Sequence, residues 1–245
     1  MTDLAAPTIE SRLDAARSLL ARIVQAHAPA VFASSFGAED MVLLDLIARA
    51  ALPIRVFTLD TGRLPQETHD LIDRSRAHYG IDIDICLPQA DAVQAFVREH
   101  GVNAFYHGID LRRQCCGLRK SEALRRALAG ARAWITGLRR AQGVTREGIA
   151  IEQFDTAHDM PKFNPLADWS EDNVWSYLRA NRVPWNALHD RGYPSIGCAP
   201  CTRAVQPGED VRAGRWWWER PDQKECGLHR RPTVAAKTTS SAVTP

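Results

Sequence analysis

Several features are missing from this 245-residue chain, and each absence closes a class of function. No apolar run is long enough for a bilayer-spanning helix, and the opening MTDLAAPTIESRLDAARSLL carries charges where a signal peptide needs an apolar core. Charge imbalance is missing too. Lys and Arg number 31 against 29 Asp and Glu, so the net charge of +2 gives bulk electrostatics no case for nucleic-acid binding. No internal repeat is present, and no strand-to-helix turn reads as GxGxxG or as a Walker loop with its lysine. The expected setting is the cytoplasm, where thiols stay reduced. Paired cysteines there point to metal or redox chemistry rather than to disulfides. An apolar content of 45% with 24% charged residues is enough to bury the core of one large domain.

What is present alternates. Residues 8–27 have helical apolar spacing, Ala30–Ala33 is a short β-type run that stops in SSFGAED, and MVLLDLIARA returns to helix. Ile54–Leu59 is the next strand and ends in Asp60-Thr61-Gly62. Pro65 suits the first position of the helix QETHDLIDRSRAHYG, with Gly80 past its end. Ile81–Leu87 reads as a third strand, DAVQAFVREHG as a helix closed by Gly101, and Ala133–Thr136 as a fourth strand running into GLRR. This rhythm predicts an α/β fold: a doubly wound, mostly parallel sheet with helices on both faces. Such sheets bind ligands at the carboxyl ends of their strands, where SSFGAED, LDTG and TGLRR all fall. A nucleotide-binding core over 28–150 is expected, then a Cys-rich C-terminal part over 151–230, together forming a single domain over 1–230. In the second part GIAIEQFD and MPKFNPL suit a short β-hairpin, and SEDNVWSYLRANR a helix with Ser170 as N-cap. The stretch 231–245 has too little apolar content to order itself.

Four of the six cysteines form two pairs, Cys115-Cys116 in RRQCCGLRK and Cys198/Cys201 in IGCAPC. Adjacent side chains on a helix diverge by about 100°. A tandem pair therefore suits one tetrahedral ion poorly and two different irons of a cubane better, since each iron needs one external thiolate. Structural Cys₄ zinc stays open as the alternative. Cys86, in the apolar run IDICLP, reads as an ordinary buried cysteine. Cys226 stands apart, with Lys224 two residues before it and His229 three after, either of which would favour a thiolate nucleophile. SSFGAED offers turn N–H groups and a helix start to an anion. Arg119, Lys120, Arg139, Arg140, Arg203, Arg212 and Arg215 cluster beside the strand ends and the cysteine motifs, as capture of a phosphate or sulfate would need. The Trp216-Trp217-Trp218 run is expected to pack over the cysteine segment.

SSFGAED, LDTG, RRQCCGLRK, TGLRR, KFNPLADWS, IGCAPCTR and the late ECGLH, in this order over about residues 30–230, resemble the sulfonucleotide reductases of assimilatory sulfate reduction. Within that family the chain is similar to the iron–sulfur adenylyl-sulfate (APS) reductases. The resemblance implies an adenine-nucleotide-binding sheet of the alpha-hydrolase-like type and a 4Fe–4S cluster on Cys115, Cys116, Cys198 and Cys201. It implies that Cys226 attacks the sulfate sulfur of APS, expels AMP and becomes an S-sulfocysteine. Reduced thioredoxin, or a glutaredoxin-like dithiol, would then release sulfite. By the same resemblance Lys120, Arg212, Arg215 and His229 hold the phosphosulfate, while Arg139, at the end of the fourth strand, is expected at the substrate from its placement. Ser34, Ser35 and Gly37 form the phosphate-facing turn, and Asp60, Thr61 and Gly62 the nucleoside side. A C-terminal segment that closes over nucleotide is expected, and a homo-oligomer is compatible with the sequence.

Three rivals stand beside this reading. Reduction of 3′-phosphorylated APS (PAPS), alone or with APS, is the nearest, and family members specialised for PAPS generally lack the two cysteine pairs. An adenylating sulfur-transferase acting on RNA shares the sheet, but SSFGAED lacks the doubled glycine of SGGxDS and the net charge is small. A zinc-stabilised binding module is the non-enzymatic alternative.

Overall fold

The computed structural model describes residues 8–143, 146–220, 224 and 228. Helix α1 (Ile9–Ala26) starts where the Thr8 hydroxyl accepts the Ser11 N–H, and it buries Ala16, Leu19, Leu20 and Ile23. Their three- and four-residue spacing makes one apolar stripe. Strands β1 (Ala30–Ala33), β2 (Ile54–Leu59), β3 (Ile83–Cys86) and β4 (Ala133–Ile135) are separated by α2 (Ala38–Arg49), α3 (Gln66–Tyr79), α4 (Ala90–His100), α5 (Ile109–Cys116) and α6 (Glu122–Leu128). Then come β5 (Glu152–Asp155), β6 (Met160–Phe163) and α7 (Glu171–Ala180).

The six strands form one sheet in the order β3-β2-β1-β4-β6-β5, parallel except for β5, which runs antiparallel to β6. The central strands read as apolar runs because both faces are covered. Phe32, Val56 and Ile135 face α1, α2, α3 and α7, while Val31, Phe57 and Trp134 face Leu124, Ala127 and Leu128 of α6. The strand period of two thus serves two cores and builds the doubly wound arrangement. β1 sits between β2 and β4, so successive connections leave it in opposite directions. That makes the carboxyl ends of β1 and β4 the crevice where such sheets hold ligands.

Two details differ from the sequence expectation. Pro65 is the N-cap residue, with ψ at 151°, and α3 begins one residue later. β3 pairs only over Ile83–Cys86 because its register on β2 runs out at Leu59. The expected hairpin forms, β5 antiparallel to β6, and it joins the main sheet where Trp134 pairs with Lys162. Ser170 caps α7 as expected, with a reciprocal bond between its backbone and the Asn173 side chain. Among the described residues no helix is long and apolar enough to cross a membrane.

Candidate active site

The carboxyl ends of β1, β2 and β4 open into a cavity of about 180 Å³. Ser34 and Ser35 line it after β1, Thr58, Leu59 and Thr61 at the end of β2, and Thr136, Gly137 and Leu138 after β4. Its charges are divided. Glu39 and Asp40 line it from the start of α2, and Lys120, Arg146 and Arg215 line it too.

The acidic side is built by the SSFGAED turn. Phe36 takes a left-handed backbone (φ 58°), a strained state for a bulky residue, while its ring is fully buried. The turn then uses its own donors. Phe36 N–H donates to Ser34 Oγ at 3.2 Å, and both the N–H and the hydroxyl of Ser35 donate to Asp40 Oδ2, at 2.6 and 2.7 Å. Both Ser35 donors are thus directed at Asp40. Gly37 caps α2 with an ordinary φ of −72° and does not line the cavity. Burial pushes the Asp40 carboxyl up to about 6, against the opposing pull of the Ser35 bonds. Burial would raise Glu39 as well, but the Arg139 charge and several hydrogen bonds bring it below the usual carboxylate range. Arg139 is itself buried, with Nε on Glu39 at 2.8 Å and Nη1 on the Trp169 carbonyl at 3.3 Å, so it reaches the cavity only through Glu39.

The LDTG turn joins this cavity to the cysteines. Asp60 accepts the Gly62 N–H at 2.8 Å and contacts His69 Nε2 at 3.0 Å. Gly62 has φ 68°, the left-handed state that glycine adopts freely. Thr61 Oγ1 lies 3.2 Å from Cys198 Sγ, and Arg119 donates to the Thr61 carbonyl at 2.6 Å.

All four paired cysteines line one small cavity next door, with Arg63, Phe105, Arg112, Arg119, Lys120 and Pro200. Cys115 and Cys116 end α5. A π-turn over Gly117–Ser121 follows and carries Arg119 and Lys120, a local widening that recurs at functional sites. Cys198 precedes and Cys201 ends a short 3₁₀ turn, docked on the LDTG segment by the bond from Ala199 N–H to the Arg63 carbonyl. Burial raises the Cys115 thiol and, with the neighbouring sulfurs, pushes Cys201 up to about 12. Cys198 goes the other way: burial would raise it, but Lys120, the Thr61 hydroxyl and two arginines outweigh that.

Among the described residues no three His, Cys, Asp or Glu side chains converge where a single ion would sit. The surroundings also carry donors in excess. Arg119 Nε, Trp216 Nε1 and Trp218 Nε1 are buried without a hydrogen-bond partner among the described residues, although buried polar atoms are normally paired. Trp216 and Trp218 pack with Cys115, Cys198 and Cys201, as expected of the tryptophan run, while Trp217 is exposed. Four cysteines around one cavity, surplus N–H groups and no acid in the lining fit a group that presents sulfur acceptors.

Lys120 lines both cavities. Arg215 is buried, bonds the Ile196 carbonyl at 3.1 Å and lies against Gly197, where a Cβ would come within 2.3 Å of its Nη2. Arg212 lies outside the lining, with Nη2 on the Lys224 carbonyl at 2.9 Å. Leu228 lines the main cavity and packs with the Phe57 and Trp134 core. Cys226 and His229 lie outside the described residues. The sequence reading missed Glu39, Asp40, His69, Arg112 and Arg146. Glu39 and Asp40 carried a sequence signal, carboxylates in the first turn of a helix that follows a serine turn.

A family model for the phosphoadenosine phosphosulfate reductase domain matches residues 29–204. A protein of Allochromatium vinosum named adenosine 5′-phosphosulfate reductase is 54% identical, over 93% of this chain and 89% of its own length. One of that name from Neisseria meningitidis serogroup B is 49% identical, over 91% of each. Among solved structures, the phosphoadenylyl-sulfate (PAPS) reductase of Candida auris, in a phosphate complex, superimposes with a TM-score of 0.67 at 26% identity. The match covers 82% of this chain and 98% of that one. The FMN adenylyltransferase of Candida glabrata shares the fold, with a TM-score of 0.55 at 17% identity, over 88% of this chain and 76% of that one.

Proposed function

The chain belongs to the phosphoadenosine phosphosulfate reductase family, and on that footing we propose that it reduces adenosine 5′-phosphosulfate to sulfite and AMP in sulfate assimilation. One observation carries the reading: a cavity at the sheet's switch point has a cationic side, Lys120 and Arg215, that borders a four-cysteine cavity. A phosphosulfate belongs at that side, where fixed cations neutralise charge without reorganising. The nucleoside then extends along the cavity toward Ser34, Ser35 and the LDTG turn. Relatives about half identical are named for APS rather than PAPS, which supports APS as the substrate.

The chemistry needs a thiolate in line with the sulfur–oxygen bond to the phosphate. Cys226 is assigned that role. Its sulfur bonds the sulfate sulfur, the bond to AMP breaks, and AMP leaves with the electron pair. Thioredoxin, or a glutaredoxin-like dithiol in the cytoplasm, attacks the Cys226 sulfur and expels sulfite. Its second thiol closes the disulfide and returns the cysteine. The two electrons come from that dithiol. Arg212 and His229 are assigned to the phosphosulfate with Lys120 and Arg215. Cys115, Cys116, Cys198 and Cys201 are assigned as ligands of a 4Fe–4S cluster. When bound, that cluster supplies a fixed charge and a rigid anchor beside Lys120.

The test is a single turnover without reductant. Anaerobic enzyme mixed with APS should release one equivalent of AMP and gain one SO₃ on Cys226 by intact and peptide mass. Sulfite should follow only when reduced thioredoxin is added. AMP release with no adduct on Cys226 would refute the assignment.

A further inference from the structure

Next to the cysteine cavity lies a buried ion pair that the reaction above does not use. Arg112, one turn before Cys116 on α5, meets Glu219 through two parallel bonds, Nε to Oε1 at 2.9 Å and Nη2 to Oε2 at 2.6 Å. Both side chains are almost wholly shielded, at 1% and 2% exposure. Arg112 also hydrogen-bonds the Cys116 side chain and lines the cysteine cavity.

Between this pair and the substrate cavity stands Trp216. Two guanidinium groups lie over its ring, Arg112 at 4.8 Å and Arg215 at 4.6 Å from the centroid. Its backbone is left-handed (φ 41°), a state that an aromatic residue holds only where its surroundings dictate it. The Trp216 N–H donates to the Cys201 carbonyl at 3.1 Å, and the Glu219 N–H to the Trp216 carbonyl at 2.8 Å. One short segment thus ties the CAPC turn, the α5 cysteines and Arg215 together. Stability alone does not explain an ion pair here, since apolar side chains of similar volume commonly serve a core as well or better. Its geometry does explain something: a fork fixed on one side by a carboxylate presents its remaining edge to a single sulfur.

We propose that Arg112 is a positioning residue for the cysteine-held group, locked by Glu219 and Trp216 so that it fixes the Cys116 thiolate. The inference rests on the reading of the four cysteines as a cluster site. Outer partners of metal ligands set both the orientation of the ligand and the hold on the metal. Glu219 lines neither the cysteine cavity nor the substrate cavity, yet it should govern how long the cluster survives.

The experiment uses the full chain purified without oxygen, as wild type, Glu219→Gln, Arg112→Lys and the double variant Arg112→Gln with Glu219→Gln. The double variant leaves no buried charge unpaired, so it keeps the test valid if a single variant fails to fold. Iron, acid-labile sulfide and far-UV circular dichroism are measured first, then iron release to a chelator and the visible circular dichroism of the cluster. The expected result is an unchanged far-UV spectrum, iron release about tenfold faster in the double variant, and an altered visible signal. Arg112→Lys, which keeps the charge but loses the fork, should fall between it and wild type. Iron-replete variants with wild-type release and visible spectra overturn this inference alone. Wild-type protein without iron or sulfide overturns the cluster reading and this inference with it.

Discussion

Gly137→Ala is the substitution whose outcome the cavity geometry fixes most tightly. The residue has no left-handed backbone, so alanine is conformationally acceptable, and on chain entropy alone it should stabilise by about 0.4–1 kcal/mol. Space decides otherwise. A Cβ at 137 would lie 2.1 Å from Asp40 Oδ1 and 3.2 Å from both Asp40 Cγ and Asp40 N. Carbon and oxygen cannot approach that closely, so the carboxylate must move. It is held by two Ser35 bonds and by the Gly137 N–H. Overpacking costs about 1–3 kcal/mol, and hydrogen bonds to a charged group are worth about 1.5–3 kcal/mol. With relaxation shared between them, the net loss should be about 3 kcal/mol. For a chain of this size that lowers the melting temperature by roughly 6–12 °C. Displacing Asp40 also frees Ser35 at the cavity wall, so the KM for APS should rise. Thermal unfolding by circular dichroism and steady-state kinetics read both effects. A melting temperature equal to or above wild type would refute the close approach and the role given to Asp40.

Two further outcomes follow from the same site. Asp40 has its folded pKa raised from 3.8 to about 6, so the native state holds that proton more tightly than the unfolded chain. Its contribution is fully present below about pH 4 and is lost as pH rises to about 6, by roughly 3 kcal/mol. Asp40→Asn should flatten the pH dependence of unfolding in that window, and an unchanged profile would contradict the shift. Lys120→Met should lower kcat/KM for APS by about 10²–10³-fold, as loss of one fixed charge-stabilising donor does elsewhere. An effect below threefold would remove Lys120 from the site.

The architecture was legible wherever local chemistry set it. β1 and β2 were bounded by apolar runs ending in Ser and Asp turns, and α7 was announced by Ser170. The four cysteines were legible as a set because tandem and Cys-x-x-Cys spacings are rare in one chain. What stayed hidden depends on contacts distant in sequence. Arg139 reads as a substrate arginine until the fold places Glu39 against it, 100 residues away. Arg112 reads as one arginine of RRQCC until Glu219 arrives from the other end of the chain. Nothing in the string SSFGAED says that Asp40 folds back onto Ser35. The π-turn after Cys116 has no signature of its own in GLRKS.

Sulfite release from APS and from PAPS, measured without oxygen with reduced thioredoxin for wild type and Cys226→Ser, tests the central claim most directly. The account predicts a kcat/KM strongly favouring APS in wild type and no sulfite from the serine variant. Sulfite formation that survives Cys226→Ser would contradict the mechanism, and an iron-replete wild type inactive on APS would contradict the function.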